Sequence, residues 1–292
     1  MDFAVITQDF KILACSSAVP LHYRGFLFPP NHGKWHSTTL LLTGTSTEVF
    51  DVKYFIDKLL ERGCALAAIE RFIGGPLAFF VRPDMERPAA LKHFMDHLYN
   101  DVGVKSVNVV AHSYAAQEVV RAFDGRPADS LPRIGMISFI NPSGFGNTGG
   151  FFPHCLRFVF LFVLWDYYCN LKRFVTHRDA PPEMKADYRR RMQGILVLFI
   201  KTISNPVRTF KEVADIVTCD LRPAVRRLVN QGGWRLQVFL SKEDTLVSND
   251  RTRNFFRNEL PSVRCIELPG NHLDPLLCES CVQTVLNALK AE

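Results

Sequence analysis

The stretch that decides the fold is residues 107–116, with the sequence Val-Asn-Val-Val-Ala-His-Ser-Tyr-Ala-Ala. A short apolar run leads directly into Ser113, and helix-forming residues follow it. This pattern is typical of a nucleophile elbow, a sharp strand-to-helix turn that holds a serine hydroxyl clear of the backbone. The general form is Gly-x-Ser-x-Gly, and the small residues Ala111 and Ala115 occupy the outer positions here. An ordinary strand end that caps a helix is the alternative interpretation of the same letters.

Two later loops carry residues that can act with Ser113 in the chain order nucleophile, acid, base. Residues 234–241 predict a strand, and Asp244 lies in the loop after it. Residues 263–268 predict the next strand, and His272, the only histidine after Asp244, follows that strand. Both candidates lie just past the C-terminal end of a strand, where open α/β sheets assemble their sites. The sequence therefore predicts a catalytic triad, although a turn-capping aspartate and a surface histidine are the separate alternatives.

With these motifs in place, the chain resembles the α/β-hydrolase superfamily, in its serine esterase and lipase-like branch with a helical cap. The strand that ends at Leu42 is similar to the family's strand before the oxyanion loop, with Thr43 where histidine is usual. Further matches are the next strand with its glycine loop, the acid loop and the histidine loop, at residues 67–75, 241–247 and 269–272. The resemblance covers roughly residues 35–142 and 220–290, and each motif departs from the family's form by one residue.

The resemblance implies a serine hydrolase that cleaves an apolar carboxylic ester through an acyl-enzyme on Ser113, with Asp244 and His272 as acid and base. It also implies that the backbone N–H groups of Thr45 and Tyr114 hold the oxyanion. Such chemistry needs no metal and no organic cofactor. The alternatives are an acyltransferase or a C–C bond hydrolase with the same triad, and a non-catalytic α/β-hydrolase-like binding protein.

Hydrophobic periodicity predicts the same architecture independently of the resemblance. Strands and helices alternate from residue 40 to residue 140, which indicates a mostly parallel central sheet with helices on both faces. Before this region, three short strands at residues 3–6, 11–15 and 21–28, broken at Asp9, Pro20 and Pro29-Pro30, predict an antiparallel edge of the sheet. Together with the resemblance, this pattern leads us to expect an α/β-hydrolase core formed by residues 1–142 and 220–292.

The alternation stops between residues 143 and 219, where glycines are followed by aromatic-rich helical stretches. We expect this segment, called the cap below, to be an inserted helical lid over the active edge of the sheet. Its aromatic side chains are candidates for the wall of an apolar substrate pocket, or for contact with lipid. The five candidates are Phe151, Phe152, Phe158, Phe162 and Trp165. The uncharged run at residues 158–165 is far shorter than the roughly 20 residues that span a bilayer, so any membrane contact is not a spanning one.

Composition limits the remaining possibilities. The formal charge of the 292 residues is only +6, and no aromatic and basic signature accompanies it, so we expect no nucleic-acid partner. Eight cysteines are scattered, and Cys278 and Cys281 form a lone C-x-x-C, which favours reduced cysteines in an intracellular protein. The first residues lack the features of a signal peptide, so we expect a cytoplasmic protein. The sequence predicts neither the acyl chain length nor the oligomeric state.

Overall fold

The computed structural model describes residues 5–13, 20–29, 37–45, 47–72, 83–126, 130, 132–146, 150–177 and 179–290. In this part of the chain, eight strands form one sheet in the order β1-β2-β4-β3-β5-β6-β7-β8. Strand β2 is antiparallel to both of its neighbours, and every later pair is parallel. The strands are β1 Ile6–Leu13, β2 Pro20–Phe28, β3 Ser37–Leu42, β4 Leu66–Phe72, β5 Ser106–His112, β6 Arg133–Ile140, β7 Leu236–Ser241 and β8 Arg264–Leu268.

Helices cover both faces of the sheet, because parallel neighbours are joined by crossover connections. The helices of the core are α1 Lys53–Glu61, α2 Pro83–Asn100, α3 Ala115–Phe123, α8 Arg222–Asn230, α9 Asn249–Glu259, α10 Asp274–Leu277 and α11 Glu279–Lys290. Strand β5 is mostly apolar because both of its faces are buried. Val107 and Val109 pack into the core cluster on one face, whereas Val110 packs into the cluster on the other. Its polar Asn108 is half-buried and accepts a hydrogen bond from Met136 N at 3.0 Å.

The cap contains no strand among its described residues. It consists of α4 Phe151–Leu156, a π-helical segment Arg157–Asp166, α5 Tyr167–Thr176, α6 Pro182–Ser204 and α7 Pro206–Thr218. The residues at the two junctions, Leu156–Arg157 and Asp166–Tyr167, have helical backbone angles, so α4, the π-helical segment and α5 form one continuous helical run. We call this run the cap helix.

A buried cluster of charged side chains fastens the cap to the core. The guanidinium of Arg87 on α2 is fully buried and donates to Glu118 of α3 at 2.6 Å and to Glu212 of α7. Glu212 also accepts from Arg208 at 2.7 Å. Burial lowers the pKa of Arg87, and the negative charge of Glu212 opposes this effect. The carboxylates therefore make it possible to bury this cation between the two parts of the chain.

The prediction of an α/β fold with a mostly parallel sheet is confirmed, but the predicted break at Asp9 is wrong. Strand β1 runs without interruption from Ile6 to Leu13 and pairs with β2 along its whole length. Asp9 is accommodated because β1 is an edge strand, where its carboxylate reaches solvent and accepts from Arg24 at 2.7 Å. Residues 1–4 and 14–19, which include parts of two predicted strands, lie outside the described residues.

Candidate active site

Ser113 lies in a strained turn between β5 and α3. Its φ angle is +56°, a conformation that non-glycine residues rarely adopt. The turn is fixed by backbone bonds, since Ser113 N donates to Ile140 O at 2.9 Å and Ser143 N donates to Ser113 O at 3.2 Å. A loop after β3 approaches the serine so closely that a Cβ atom at Gly44 would lie 3.0 Å from the Ser113 Cβ. The fold therefore holds the serine in the backbone geometry of a nucleophile elbow.

His272 and Asp244 form a buried hydrogen-bonded pair. The His272 Nδ1 atom lies 2.7 Å from Asp244 Oδ2, and both side chains are almost inaccessible to solvent. The other Asp244 oxygen accepts the backbone N–H groups of Leu246 and Val247 at 2.8 and 3.1 Å. These donors fix the carboxylate, and the carboxylate in turn fixes the orientation of the imidazole ring.

Two residues that the sequence analysis missed hold the His272 loop in place. His112 Nε2 and Asn141 Nδ2 both donate to the carbonyl oxygen of His272, each at 3.0 Å. Asn141 is fully buried, and its side chain also bonds to Ser241 at the end of β7 and accepts from Asn249. Burial, followed by the nearby His272, lowers the pKa of His112 to about 3, so its ring is neutral at pH 7. The signal for both residues was present in the sequence, since each lies at the C-terminal end of a parallel strand.

The two predicted oxyanion donors lie in different loops near the serine. Thr45 lies on the wall of the same cavity as Ser113, and Tyr114 is the first residue after the serine, at the N-terminus of α3. Thr43 donates its hydroxyl to Thr47 O at 2.7 Å, which closes the loop that carries Thr45. The Tyr114 ring itself is buried, and its hydroxyl donates to Asp215 of the cap at 2.6 Å. The role of their backbone N–H groups as oxyanion donors stays a prediction.

A mostly apolar cavity of about 210 Å³ lies between the cap and the C-terminal edge of the sheet. Ser113 and His272 lie in its floor, and α4, the π-helical segment, α6 and α7 of the cap supply its roof. The apolar wall consists of Phe158, Val159, Leu198, Phe199, Ile203, Val213, Ile216, Leu246, Val247 and Leu273. The arrangement can bind an apolar group directly above the serine.

The wall of the cavity differs from the predicted one. Of the five aromatic candidates, Phe158 lies on the wall. Phe151 packs instead against Phe210, with ring centroids 4.7 Å apart, while Phe152 and Trp165 are on the surface and are 71% and 58% exposed. The side chain of Phe162 lies outside the described residues. The reason is geometric, since only one side of the cap helix faces the core, and residues on its other sides point away.

His154 is a polar residue of the cavity wall that the sequence analysis did not single out. It is buried on α4, and its Nδ1 atom has no hydrogen-bond partner among the described residues. Burial, and then the neighbouring His272, lower the pKa of His154 to about 4. The imidazole is therefore neutral at pH 7 and adds no charge to the apolar cavity.

No protein-family profile and no curated protein matches the chain. Solved structures do match it over nearly their whole length. An enol-lactonase from Burkholderia xenovorans superimposes with a TM-score of 0.64 at 14% identity, covering 96% of this chain and 99% of the lactonase. A bromoperoxidase from Bacillus anthracis gives 0.63 at 13% identity, with 97% and 100% covered. A carboxylesterase from Nitrososphaera gargenis gives 0.60 at 15% identity, with 96% and 97% covered. The chain therefore has the α/β-hydrolase fold.

Proposed function

We propose that this protein is a serine hydrolase that cleaves an apolar carboxylic ester through an acyl-enzyme on Ser113. One observation carries the proposal. Ser113 lies in a strained turn on the floor of an apolar cavity, and the same floor carries His272, whose ring is held by Asp244. A strained backbone, a buried acid–imidazole pair and an enclosed apolar volume converge at one place, which is the combination that nucleophilic catalysis requires.

The hydrogen bond to Asp244 determines the role of His272. Because a carboxylate only accepts, His272 Nδ1 carries the proton and Nε2 is the basic atom. In the proposed first step, the Ser113 Oγ attacks the ester carbonyl carbon and its proton passes to His272 Nε2. The N–H groups of Thr45 and Tyr114 stabilise the oxyanion. When the tetrahedral intermediate collapses, the C–O bond to the alcohol breaks and His272 returns the proton to the leaving oxygen.

A water molecule then attacks the acyl-enzyme by the same series of steps. His272 removes a proton from the water, the hydroxide adds to the acyl carbon, and the bond to Ser113 Oγ breaks as the serine regains its proton. The products are a carboxylic acid and an alcohol. The carboxylate of Asp244 stabilises the imidazolium that forms twice in each cycle.

The substrate class follows from the cavity wall. Ten apolar side chains surround the floor, and the histidine in the roof is neutral at pH 7. A charged acyl group would lose its hydration there without gaining a partner charge, which costs several kcal/mol by order of magnitude. An aliphatic or aromatic acyl group instead gains from burial, by about 25 cal/mol for each Å² of apolar surface.

The test is hydrolysis of p-nitrophenyl esters of increasing acyl length by the wild-type protein and by Ser113→Ala. Ser204→Ala is the matched control, because Ser204 is an exposed serine at the end of α6. We expect the wild type and the control to release nitrophenol, and Ser113→Ala to lose at least a thousandfold in rate. Acid quenching during turnover should add the mass of the acyl group to the wild type and to Ser204→Ala, but not to Ser113→Ala. Equal rates for the wild type and Ser113→Ala would overturn the proposal.

A further inference from the structure

The cap exposes an unusual amount of apolar surface. Among the described residues, nineteen large apolar side chains are exposed, and fifteen of them lie between Phe152 and Phe210. The other four are scattered over the core, at Val5, Ile6, Phe50 and Met85. Exposed apolar side chains that occur singly need no explanation, whereas a concentration of this kind marks a surface that contacts another apolar phase.

Some of these side chains follow one side of the cap helix. Seven of them recur at spacings of three or four residues, and we call them the cap stripe: Phe152, Leu156, Phe160, Leu164, Tyr168, Leu171 and Val175. Residues at this spacing lie above one another on a helix. At 1.5 Å per residue, the stripe extends for roughly 35 Å. Such a length and shape suit a flat apolar surface better than a closed pocket.

The cap stripe joins the mouth of the cavity. Val159 of the cap helix and Ile203 of α6 both line the cavity, yet they are 37% and 58% exposed. Leu196 and Ile200 continue the exposed surface along α6. An apolar molecule can therefore move from the outer face of the cap into the cavity while it remains in contact with apolar side chains.

The charge of the cap identifies the kind of partner. Residues 150–219 contain eleven Lys and Arg against six Asp and Glu, so they carry +5 of the chain's formal charge of +6. Arg157, Lys172 and Arg173 are exposed directly beside residues of the cap stripe. Basic side chains next to an apolar helix face are the combination that binds anionic lipid headgroups. A second copy of the same face would bring like charges together.

We propose that the cap stripe docks this protein onto the surface of an anionic lipid bilayer, with the mouth of the cavity towards the lipid. Helices in this mode lie in the plane of the interface and bury their apolar face about 5–10 Å deep. Trp165 and Tyr168, exposed with ring centroids 6.0 Å apart, have the amphipathic rings that favour this depth. None of the helices in the described ranges combines the length and the hydropathy needed to cross a membrane. The idea that the substrate is taken from the lipid rests on the proposed function, whereas the docking itself does not.

Flotation with vesicles tests the docking. The wild-type protein is mixed with vesicles of phosphatidylcholine alone, or with vesicles in which about a third of the lipid is phosphatidylserine. The variant Phe160→Ser/Leu164→Ser removes two residues of the cap stripe that do not line the cavity. Met85→Ser, an exposed position on α2, is the matched control. We expect the wild type and the control to float with the anionic vesicles, and the double variant to bind at least about tenfold more weakly.

Two further readouts make the result decisive. Circular dichroism and the Tm show whether the double variant is folded. If it is unfolded, Lys172→Glu/Arg173→Glu, which leaves all the apolar residues intact, must weaken anionic vesicle binding by a similar factor. Brominated lipid should quench the fluorescence of the wild type more than that of Trp165→Phe. Failure of the wild type to float, or self-association that the double variant abolishes, would overturn the proposal. Hydrolysis of a water-soluble ester by the same wild-type sample reports separately on the proposed function.

Discussion

The buried charge cluster between the cap and the core predicts a large loss of stability from one conservative substitution. In Glu212→Gln, the side chain keeps its shape and one carbonyl acceptor but loses its charge. Glu212 is fully buried and is shared by Arg87 and Arg208, so the substitution removes a carboxylate from both guanidinium groups and leaves Arg87 paired with Glu118. Arg87 itself has no access to solvent. It therefore cannot recover its hydration without the cap separating from the core.

The size of the stability loss in Glu212→Gln follows from this burial. Removing one partner of a buried ion pair costs about 3–5 kcal/mol. Because glutamine keeps one hydrogen bond, we expect Glu212→Gln to lose about 3 kcal/mol of stability. That loss lowers the ratio of folded to unfolded protein by a factor of roughly 150. Urea unfolding at pH 7 measures the change, with Glu183→Gln, at an exposed position of α6, as the control that should stay within about 0.5 kcal/mol of the wild type. A loss below about 1 kcal/mol for Glu212→Gln would refute the reasoning.

Three other predictions concern the neighbourhood of the site. A Cβ atom in Gly44→Ala would lie 3.0 Å from the Ser113 Cβ and 3.1 Å from His112 Nδ1. We therefore expect kcat/KM for esters to fall at least about tenfold while the Tm changes little. Unchanged kinetics would contradict this prediction. Asn141→Ala removes the hydrogen bonds to the His272 loop and to Ser241. We expect the free energy of unfolding, measured with urea, to fall by about 2–4 kcal/mol. A decrease of less than about 1 kcal/mol would disprove this prediction. Burial raises the pKa of Asp166 to about 6, so the folded state holds the proton more tightly than the unfolded state. After allowance for the partial exposure of the Asp166 side chain, the wild type should lose about 1 kcal/mol of stability between pH 4 and pH 7, whereas Asp166→Asn should not. Parallel curves of unfolding free energy against pH for the two proteins would rule this out.

The sequence was most informative where a residue's surroundings depend on its neighbours along the chain. The apolar run of β5 is readable because both faces of that strand are buried, and the turn at Ser113 is readable because small residues must flank it. The acid and the base were selected by their position after late strands. The structure then brings them together as a hydrogen-bonded pair beside the cavity that contains the serine.

Features that depend on contacts between distant segments were not readable. Arg87 and Glu212 are 125 positions apart, and nothing in either local pattern indicates that the two side chains meet. In the cap, aromatic content alone did not separate Phe158, which lines the cavity, from Phe152 and Trp165, which are on the outer side of the cap helix. The side of a helix that faces the core is determined by its packing against other helices, here α6 and α7. Leu198 and Val213, which do line the cavity, carry no signal that distinguishes them from other apolar residues.

The central claim is that Ser113 is an activated nucleophile, and covalent labelling tests it most directly. The purified protein is treated with a fluorophosphonate, which reacts with serines that a neighbouring base activates, and the adduct is located by peptide mass spectrometry. We predict one adduct, on Ser113, that is absent from Ser113→Ala and strongly reduced in His272→Ala. A wild-type protein that stays unlabelled, or that carries the adduct on another serine, would contradict the assignment of this site.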